Sequence, residues 1–429
     1  MESRRIRRVF APLDAALRAP GSKSMTHRAL VAAALADGRS RIIAPLDADD
    51  TRRTLAGLAA LGARVEATPG AWIVDGCPTV LPGGGVLALG DSGTSLRLLV
   101  AVAALGREPT TLDGSPRLRE RPIHDLVQAL ARLGASVHDT NGALPVRAGG
   151  TPPRGGALTL RADRTSQFAS ALLLIGPRLA EGLALTLAPP AVSLPYVELT
   201  LGVMSEFGVP VERPAELEFL VRPGRYLPRR YRVEGDHSSA SYFLAAPAIA
   251  GGRVRVEGLF PDSLQPDARL GQVLGDAGCR VLRGPDWIEV DGTGATLSAF
   301  DLDLGPAPDL VPTVAVLAMF ADGRSRLLNI GHLRDKESDR LEMIAGNLRR
   351  LGCEAQVVGD GLEIVGQRAG LHGGLVTTAG DHRLAMAFAI AGLAIDGVDV
   401  DDPACVSKSN PEFWSQLDSL GGKPAGQNW

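Results

Sequence analysis

The segment LAALGARV, residues 58–65, contains an apolar amphipathic run, a glycine at position 62 and then alternating polarity. That order predicts a helix that ends at a C′ glycine and is followed by a strand. The same pattern returns five times, at intervals of 69 to 74 residues. The other copies are LARLGASV (130–137), MSEFGVPV (204–211), LGDAGCRV (274–281), LRRLGCEA (348–355) and LDSLGG (417–422). This period indicates a chain built from six repeats.

Each repeat contains further elements around this pattern. After the first five glycines, a strand and another glycine follow 14 to 16 residues later, which predicts a hairpin. A second helix in each repeat is apolar nearly all round, as in LLVAVAAL (98–105), and should be buried. Strands such as RVRVEGL (253–259) alternate and can leave one face in water. The predicted class is α/β with two domains, helices inside and sheets outside.

The two ends of the chain predict how the repeats are shared between domains. The sixth repeat stops at residue 429 without its hairpin, whereas residues 1–20 contain strand-like sequence without a helix. We therefore expect the N-terminal segment to complete the sixth repeat, in a domain of residues 1–20 and 235–429. Residues 21–234 would form the domain of the first three repeats. The spacing also allows an open solenoid of six repeats.

The composition of the chain argues against several classes of protein and of functional site. The chain has 429 residues, a net charge of −3, 45% hydrophobic and 22% charged residues, which excludes global disorder. A nearly neutral chain gives no reason to expect a nucleic-acid or membrane partner. Its four cysteines are scattered without a CxxC pair, which argues against a disulfide scaffold and a Cys/His metal site. No secretory signal is visible, so we expect a cytoplasmic protein.

Polar residues collect at the predicted start of the first helix in each repeat. Ser, Thr and Asp there are typical N-caps, and capping is the better interpretation of any one cluster. Capping does not require Lys23, Arg28, Gln167 or Arg383, however, and helix N-termini also attract anions. The six clusters are PGSKSMTHR (20–28), GDSGTSLR (90–97), RTSQF (164–168), GDHSSASY (235–242), PDLVPT (308–313) and GDHR (380–383).

Basic residues in these clusters and in three other polar segments suit small polyanions. Of the 45 basic residues only four are lysines, and three of them lie in PGSKS, RDKESDR and VSKS. Glu337 and Asp309, set among the cations, are candidate proton-transfer groups. The candidate cations are Lys23, Arg28, Arg121, Lys336, Arg340, Arg383 and Lys408.

Eight motifs of this sequence, and the order in which they occur, resemble those of the 3-phosphoshikimate 1-carboxyvinyltransferase (EPSP synthase) family. The resemblance runs from about residue 16 to residue 414, and PGSKS, RERP, KESDR and GDHR are its most specific parts. It implies two domains of three βαβαββ units each, with the active site in the cleft between them. The motifs are PGSKSMTHRAL (20–30), LGDSGTSLRLL (89–99), RLRERPIHDLVQAL (117–130), TSQFASALL (165–173), VEGDHSSASYF (233–243), LRDKESDR (333–340), GDHRLAMAF (380–388) and CVSKSNPEF (405–413).

The resemblance also implies an activity. The family transfers the enolpyruvyl group of phosphoenolpyruvate to the 5-hydroxyl of shikimate 3-phosphate and releases phosphate, by addition and then elimination. This reaction belongs to the shikimate pathway to chorismate and the aromatic amino acids, and the family uses neither a metal nor an organic cofactor. We expect a monomer whose partners are these two small molecules.

The matching motifs imply the roles of individual residues. Asp309 would be the base on the 5-hydroxyl, Glu337 the proton donor to the methylene carbon, and Lys23 would touch both substrates. Glyphosate occupies the phosphoenolpyruvate site in this family, so we expect inhibition, although Asp91 adds a negative charge near Gly93. The implied shikimate 3-phosphate ligands are Lys23, Ser24, Arg28, Thr165, Ser166, Gln167, Ser193, Asp309, His332 and Lys336. The implied phosphoenolpyruvate ligands are Lys23, Gly93, Arg121, Gln167, Arg340, Arg383 and Lys408.

The sequence alone leaves two other functions possible. UDP-N-acetylglucosamine enolpyruvyl transferase has a Lys-Asn pair near its N-terminus and commonly a cysteine in the second unit. Here the pair is Lys23-Ser24, and no cysteine lies between positions 77 and 279. A non-catalytic repeat scaffold would need neither two acids nor seven cations at these positions.

Overall fold

In a computed structural model of this chain, residues 3–77 and 81–421 are described. The chain divides into a continuous unit, Gly21–Val233, and a discontinuous unit, Met1–Pro20 with Glu234–Trp429. Gly422, the last residue of the sixth repeat pattern, lies outside the described residues. In the described part, no helix is long and apolar enough to cross a membrane.

The continuous unit contains three repeats of the predicted type. Its helices are α1 (Lys23–Ala34), α2 (Asp49–Ala60), α3 (Gly93–Ala104), α4 (Pro116–Glu120), α5 (His124–Arg132), α6 (Gln167–Ile175) and α7 (Pro195–Glu206). Its strands are β3 (Arg39–Ile43), β4 (Arg64–Thr68), β5 (Ala71–Asp75), β6 (Val86–Ala88), β7 (Thr110–Asp113), β8 (Val137–Thr140), β9 (Ala143–Ala148), β10 (Gly156–Arg161), β11 (Leu183–Ala188), β12 (Glu212–Ala215), β13 (Glu218–Val221) and β14 (Arg230–Arg232).

Each repeat of this unit forms one four-stranded sheet with a parallel pair and an antiparallel hairpin. The orders are β10-β11-β13-β12, β6-β7-β9-β8 and β14-β3-β5-β4. In the last sheet β14 lies parallel to β3, with Tyr231 opposite Ile42. The final strand of the unit therefore supplies the first strand of the first repeat, so these three repeats close on themselves instead of continuing as an open solenoid.

The helices that follow the polar clusters form the interior of the unit. Ten of the twelve residues of α1 are buried, as its alanine-rich sequence predicts. A Cβ atom on Gly57 in α2 would lie 2.4 Å from Cδ1 of Leu99 in α3. Helix α2 therefore approaches α3 closely at Gly57, where a larger residue would clash.

The discontinuous unit repeats the same arrangement. Its helices are α8 (His237–Ala250), α9 (Leu270–Asp276), α10 (Val311–Phe320), α11 (Arg340–Arg350), α12 (His382–Ala391) and α13 (Phe413–Leu420). Its strands are β1 (Ser3–Arg5), β2 (Leu13–Arg18), β15 (Gly252–Glu257), β16 (Arg280–Arg283), β17 (Trp287–Asp291), β18 (Asp301–Asp303), β19 (Gly323–Leu328), β20 (Glu354–Val358), β21 (Gly361–Gly366), β22 (Gly374–Val376) and β23 (Val398–Asp401).

The N-terminal segment takes part in two sheets of this unit. Strand β1 pairs antiparallel with β23 of the sixth repeat, with Arg4 opposite Val400. Strand β2 pairs parallel with β15 of the fourth repeat, with Leu17 opposite Val256. The segment thus completes the fourth repeat as well as the sixth, because its alternating Leu13–Arg18 stretch matches the parallel first strand that the fourth repeat lacks. Buried helices and half-exposed strands in both units confirm the predicted α/β class.

Candidate active site

The residues that cap the helices and the residues predicted to bind ligands are different members of the polar clusters. The predicted ligands lie beside the capping residues, so capping does not explain their presence. Ser166 precedes α6 but its side chain makes no capping bond, and Thr165 Oγ1 instead accepts from the Gln167 backbone N–H at 3.2 Å. The side-chain caps are Ser22 for α1, Ser92 for α3, Asp236 for α8 and Asp381 for α12.

Lys23 forms a partly buried ion pair at the start of α1. Its Nζ lies 3.2 Å from Oδ2 of Asp50, and the two side chains are 11% and 4% exposed. The backbone oxygen of Asp50 accepts from Ser95 in the first turns of α3, at 2.9 Å. Asp50 thus holds Lys23 close to the α3 cluster. Sequence reasoning missed Asp50 because its neighbours, in DADD (47–50), are typical of a helix start.

Arg28 is a buried cation with neutral partners. It donates from Nε to Thr200 Oγ1 at 2.7 Å and from Nη2 to Ser170 Oγ at 3.0 Å. It also donates to the backbone oxygens of Ser24 and Tyr196. Burial lowers the pKa of Arg28 to about 10, so it stays charged at neutral pH. A buried charge without a carboxylate among these acceptors favours an anionic ligand.

Two predicted serine ligands lie close in sequence to residues that contact Arg28. Ser193 lies just before α7, is 5% exposed and has a left-handed backbone with φ 55°. That conformation is uncommon outside glycine and is enriched at functional sites. Ser24 is the second residue of α1 and offers its backbone oxygen to Arg28. Both predicted shikimate 3-phosphate ligands therefore lie in the continuous unit beside elements that Arg28 contacts.

Gly93, the first residue of α3, is surrounded by guanidinium groups. A Cβ atom there would lie 2.5 Å from Nη1 of Arg121 and 2.6 Å from Nη1 of Arg97. The family resemblance implies that Gly93 is a phosphoenolpyruvate ligand, and in the structure two arginine side chains occupy the space beside its Cα atom. The Asp91 carboxylate accepts from Ser115 and is exposed, so water screens its charge.

Arg97 joins Gln167 to this cluster. Its Nη1 donates to Oε1 of Gln167 at 2.9 Å, and Gln167 Nε2 donates to Thr94 Oγ1 at 3.1 Å. The structure therefore brings Gln167 and Arg121 to the start of α3. Arg97 itself was missed by sequence reasoning, although a lone charge inside the apolar run after Gly93 is a signal that could have found it.

The discontinuous unit holds both candidate proton-transfer groups in one cluster. Asp309 Oδ1 accepts from Arg340 Nη1 at 3.1 Å, and its Oδ2 accepts from Arg383 Nη2 at 2.7 Å. Glu337 Oε2 accepts from Arg340 Nη2 at 2.8 Å, and its Oε1 lies 3.7 Å from Lys408 Nζ. These five predicted residues lie together, and a single arginine bridges the two candidate proton-transfer groups.

Arg340 organises this cluster from within the protein. Its side chain is 1% exposed, and its Nε donates to Asp381 Oδ2 at 2.7 Å. Burial alone would lower its pKa, but Asp381, Glu337 and Asp309 more than offset this effect and raise it above the ordinary value. Asp381 also caps α12, and sequence reasoning identified it only as part of a capping cluster.

His332 and Lys336 lie beside the same cluster. His332 is in the 3₁₀ turn Gly331–Asp335, and Lys336 follows it directly. Burial, and then the charge of Lys336, lower the pKa of His332 to about 3, so its imidazole is neutral near pH 7. His332 can therefore offer a hydrogen bond to a substrate but not a positive charge.

Comparison with known proteins identifies the family. The family model of EPSP synthase (3-phosphoshikimate 1-carboxyvinyltransferase) matches residues 8–417. The chain belongs to the EPSP synthase family. It is 46% identical to the 3-phosphoshikimate 1-carboxyvinyltransferase of Methanosphaerula palustris over 413 residues, which cover 95% of this chain and 96% of that relative. The relative from Bordetella petrii is 42% identical over 410 residues, with 92% of each chain covered.

Solved structures of EPSP synthase have the same fold. The enzyme from Acinetobacter baumannii superposes with a TM-score of 0.82 at 25% identity, covering 98% of each chain. Membership of the EPSP synthase family confirms the resemblance carried by the sequence motifs. It makes the chain an enzyme and favours this family over the UDP-N-acetylglucosamine enolpyruvyl transferase and over a non-catalytic scaffold.

Proposed function

We propose that this enzyme transfers the 1-carboxyvinyl group of phosphoenolpyruvate to the 5-hydroxyl of shikimate 3-phosphate and releases phosphate. The observation that carries the proposal is that Asp309 and Glu337 are bridged by Arg340. Addition to phosphoenolpyruvate forms a C–O bond at C2 while a proton goes to C3, so a base and an acid must act together. Elimination then breaks the C2–O bond to phosphate, returns one C3 proton to a carboxylate of this pair and restores the double bond.

Phosphoenolpyruvate is assigned to cations from both units. Its carboxylate and phosphate need several positive groups held in place before binding. The ligands are Lys23, Gly93, Arg121 and Gln167 of the continuous unit with Arg340, Arg383 and Lys408 of the discontinuous unit.

Shikimate 3-phosphate is assigned to the hydroxyl-rich helix starts. Two features support this assignment: Arg28 donates to four neutral acceptors, and the side chain of Ser166 makes no capping bond. Neutral His332 suits a sugar-like hydroxyl more than a phosphate. The ligands are Lys23, Ser24, Arg28, Thr165, Ser166, Gln167 and Ser193 of the continuous unit with Asp309, His332 and Lys336 of the discontinuous unit.

Substrate binding prepares the acid and the base. In the structure Arg340 and Arg383 contact the carboxyl group of Asp309, and Arg340 and Lys408 contact that of Glu337. Bound phosphoenolpyruvate competes for these cations. Asp309 is then released to accept the 5-hydroxyl proton, while the nearby negative charge favours a protonated Glu337 that can donate to C3.

We further propose that the enzyme acts as a cytoplasmic monomer and needs neither a metal nor an organic cofactor. In residues 3–77 and 81–421 no group of His, Cys, Asp and Glu side chains is arranged to hold a metal ion. Activity unchanged by a chelator would agree with this part of the proposal, and loss of activity that a metal restores would contradict it.

Phosphate release from phosphoenolpyruvate tests the substrate assignment. We expect release with shikimate 3-phosphate and none with UDP-N-acetylglucosamine or without an acceptor. The Asp309→Asn variant serves as the control for contaminating phosphatase, which would be insensitive to this substitution. Release with UDP-N-acetylglucosamine alone would overturn the proposal.

A further inference from the structure

Arg97 is an internal arginine in contact with two parts of the candidate site. It lies in α3, where the neighbouring residues are apolar, and is only 2% exposed. Its Nη1 donates to Oε1 of Gln167 at 2.9 Å. Its Nη2 donates to the backbone oxygen of Pro122 at 2.9 Å. Pro122 directly follows Arg121, so one guanidinium fixes both the segment that carries Arg121 and the amide of Gln167.

We propose that Arg97 is a positioning residue that holds Gln167 as a hydrogen-bond donor toward phosphoenolpyruvate. This inference rests on the proposed function. A guanidinium has only donors, so the Gln167 group that faces it must be the carbonyl. The Nε2 group therefore faces the other way and gives one hydrogen to Thr94 Oγ1 at 3.1 Å. Within the described part of the chain that is the one bond of Nε2, so its second hydrogen is left for a ligand.

The orientation of this amide decides what Gln167 can do for an anion. A carboxylate or phosphate accepts hydrogen bonds, so only the Nε2 side of the amide stabilises it. Without Arg97 the amide can rotate, and its carbonyl would then repel the anion. Arg97 thus contributes to phosphoenolpyruvate binding without touching it, and its effect should disappear when Gln167 has no amide.

The competing explanation is that Arg97 only stabilises the fold. Its guanidinium lies 5.7 Å from the ring centre of Phe168, a cation–π distance, and it satisfies a backbone carbonyl in the interior. Loss of these contacts would lower thermal stability whether residue 167 is glutamine or alanine. It would not make the effect on phosphoenolpyruvate depend on residue 167.

A double-mutant cycle separates the two explanations. Arg97→Met, Gln167→Ala and the double variant are compared by the KM for phosphoenolpyruvate at saturating shikimate 3-phosphate, by kcat and by Tm. We expect each single variant to raise this KM about tenfold, and the double variant to raise it little further. If the two single effects multiply, or if Arg97→Met leaves KM unchanged, the proposal is overturned.

Arg178→Met is the matched control. Arg178 Nη1 also donates to backbone oxygens, those of Leu35 and Cys77 at 3.0 Å each, and it is not among the proposed ligands. We expect a lower Tm with an unchanged KM; an equal rise in KM would show that Arg97 acts only through stability.

Arg97→Lys keeps the cycle usable if Arg97→Met does not fold. The lysine ammonium keeps the positive charge but cannot donate to Gln167 and Pro122 in the way that a guanidinium does. The KM for phosphoenolpyruvate should therefore rise, but less than in a folded Arg97→Met variant. The same coupling with Gln167→Ala is expected, and additive effects would again overturn the proposal. Wild-type enzyme without turnover would overturn the proposed function and this inference together, whereas a normal wild type with an additive cycle would overturn only the inference.

Discussion

Asp309 and Arg383 are joined by a hydrogen bond of 2.7 Å between Oδ2 and Nη2. The other oxygen of Asp309 accepts from Arg340. The proposed base is therefore held by two proposed ligands of phosphoenolpyruvate. In the proposed mechanism, anion binding and proton abstraction depend on the same cations. A substitution of Asp309 should therefore change kcat and the KM for phosphoenolpyruvate differently.

Asp309→Asn should lower kcat by about 10²–10⁴-fold, the usual contribution of a general base. The KM for phosphoenolpyruvate should not rise, because the neutral amide no longer competes for Arg340 and Arg383. Shikimate 3-phosphate affinity should fall somewhat, since the amide accepts less well from the 5-hydroxyl. Steady-state kinetics with both substrates measure the three effects, and a near-normal kcat would remove Asp309 from the mechanism.

Gly93→Ala should weaken phosphoenolpyruvate binding, because its methyl group would lie within 2.6 Å of Arg121 and Arg97. The guanidinium ends can shift, so the variant should fold normally. Glyphosate is the longer molecule, and we expect its inhibition constant to rise more than the KM for phosphoenolpyruvate. Inhibition kinetics at several phosphoenolpyruvate concentrations measure both constants. If neither constant changes, Arg121 is not a ligand at this position.

Asp50→Asn should raise the KM for both substrates several-fold, because it removes the ion partner that holds Lys23. Asp47→Asn is the control, since Asp47 pairs with Arg52 at the surface, where both side chains are more than half exposed. We expect the control to leave both KM values unchanged. Equal effects of the two substitutions would show that Asp50 has no special relation to the substrates.

His332→Asn should make the enzyme more resistant to acid. The pKa of His332 is lowered from 6.5 to about 3 in the folded protein. Between these values the unfolded chain binds more protons, so stability decreases as the pH falls from 6.5 to 3. Removal of the imidazole should flatten this decrease in Tm, whereas His138→Asn, at an exposed position, should not. Identical pH profiles for the variant and the wild type would contradict the burial of His332.

The repeated architecture could be predicted from the sequence because its signals are local. A C′ glycine such as Gly62, an all-apolar helix such as α1 and an alternating hairpin each depend on a few neighbouring residues. The closure of the first repeat by β14 could not be predicted. Three residues, Arg230–Arg232, pair there with a strand almost 190 positions earlier, and no local pattern marks such a partner.

The candidate site, like the fold, could be predicted from the sequence only in part. The motifs assigned roles to the proposed ligands, but not to the residues that hold those ligands in place. Asp50, Arg97 and Asp381 act through partners 27, 70 and 41 positions away. Each looks like a cap or a stray charge in the sequence, and only the packing of the helices brings it to its partner.

Deuterium incorporation into the product tests the central claim most directly. If Glu337 adds a proton to C3 before phosphate leaves, a methyl group forms, and the reaction in D₂O must leave deuterium in the vinyl group of the product. Mass spectrometry of the product made by the wild-type enzyme from phosphoenolpyruvate and shikimate 3-phosphate measures this. Glu337→Gln should lose most turnover while still binding both substrates. We predict a deuterated product, and a product without deuterium would contradict addition followed by elimination through Glu337.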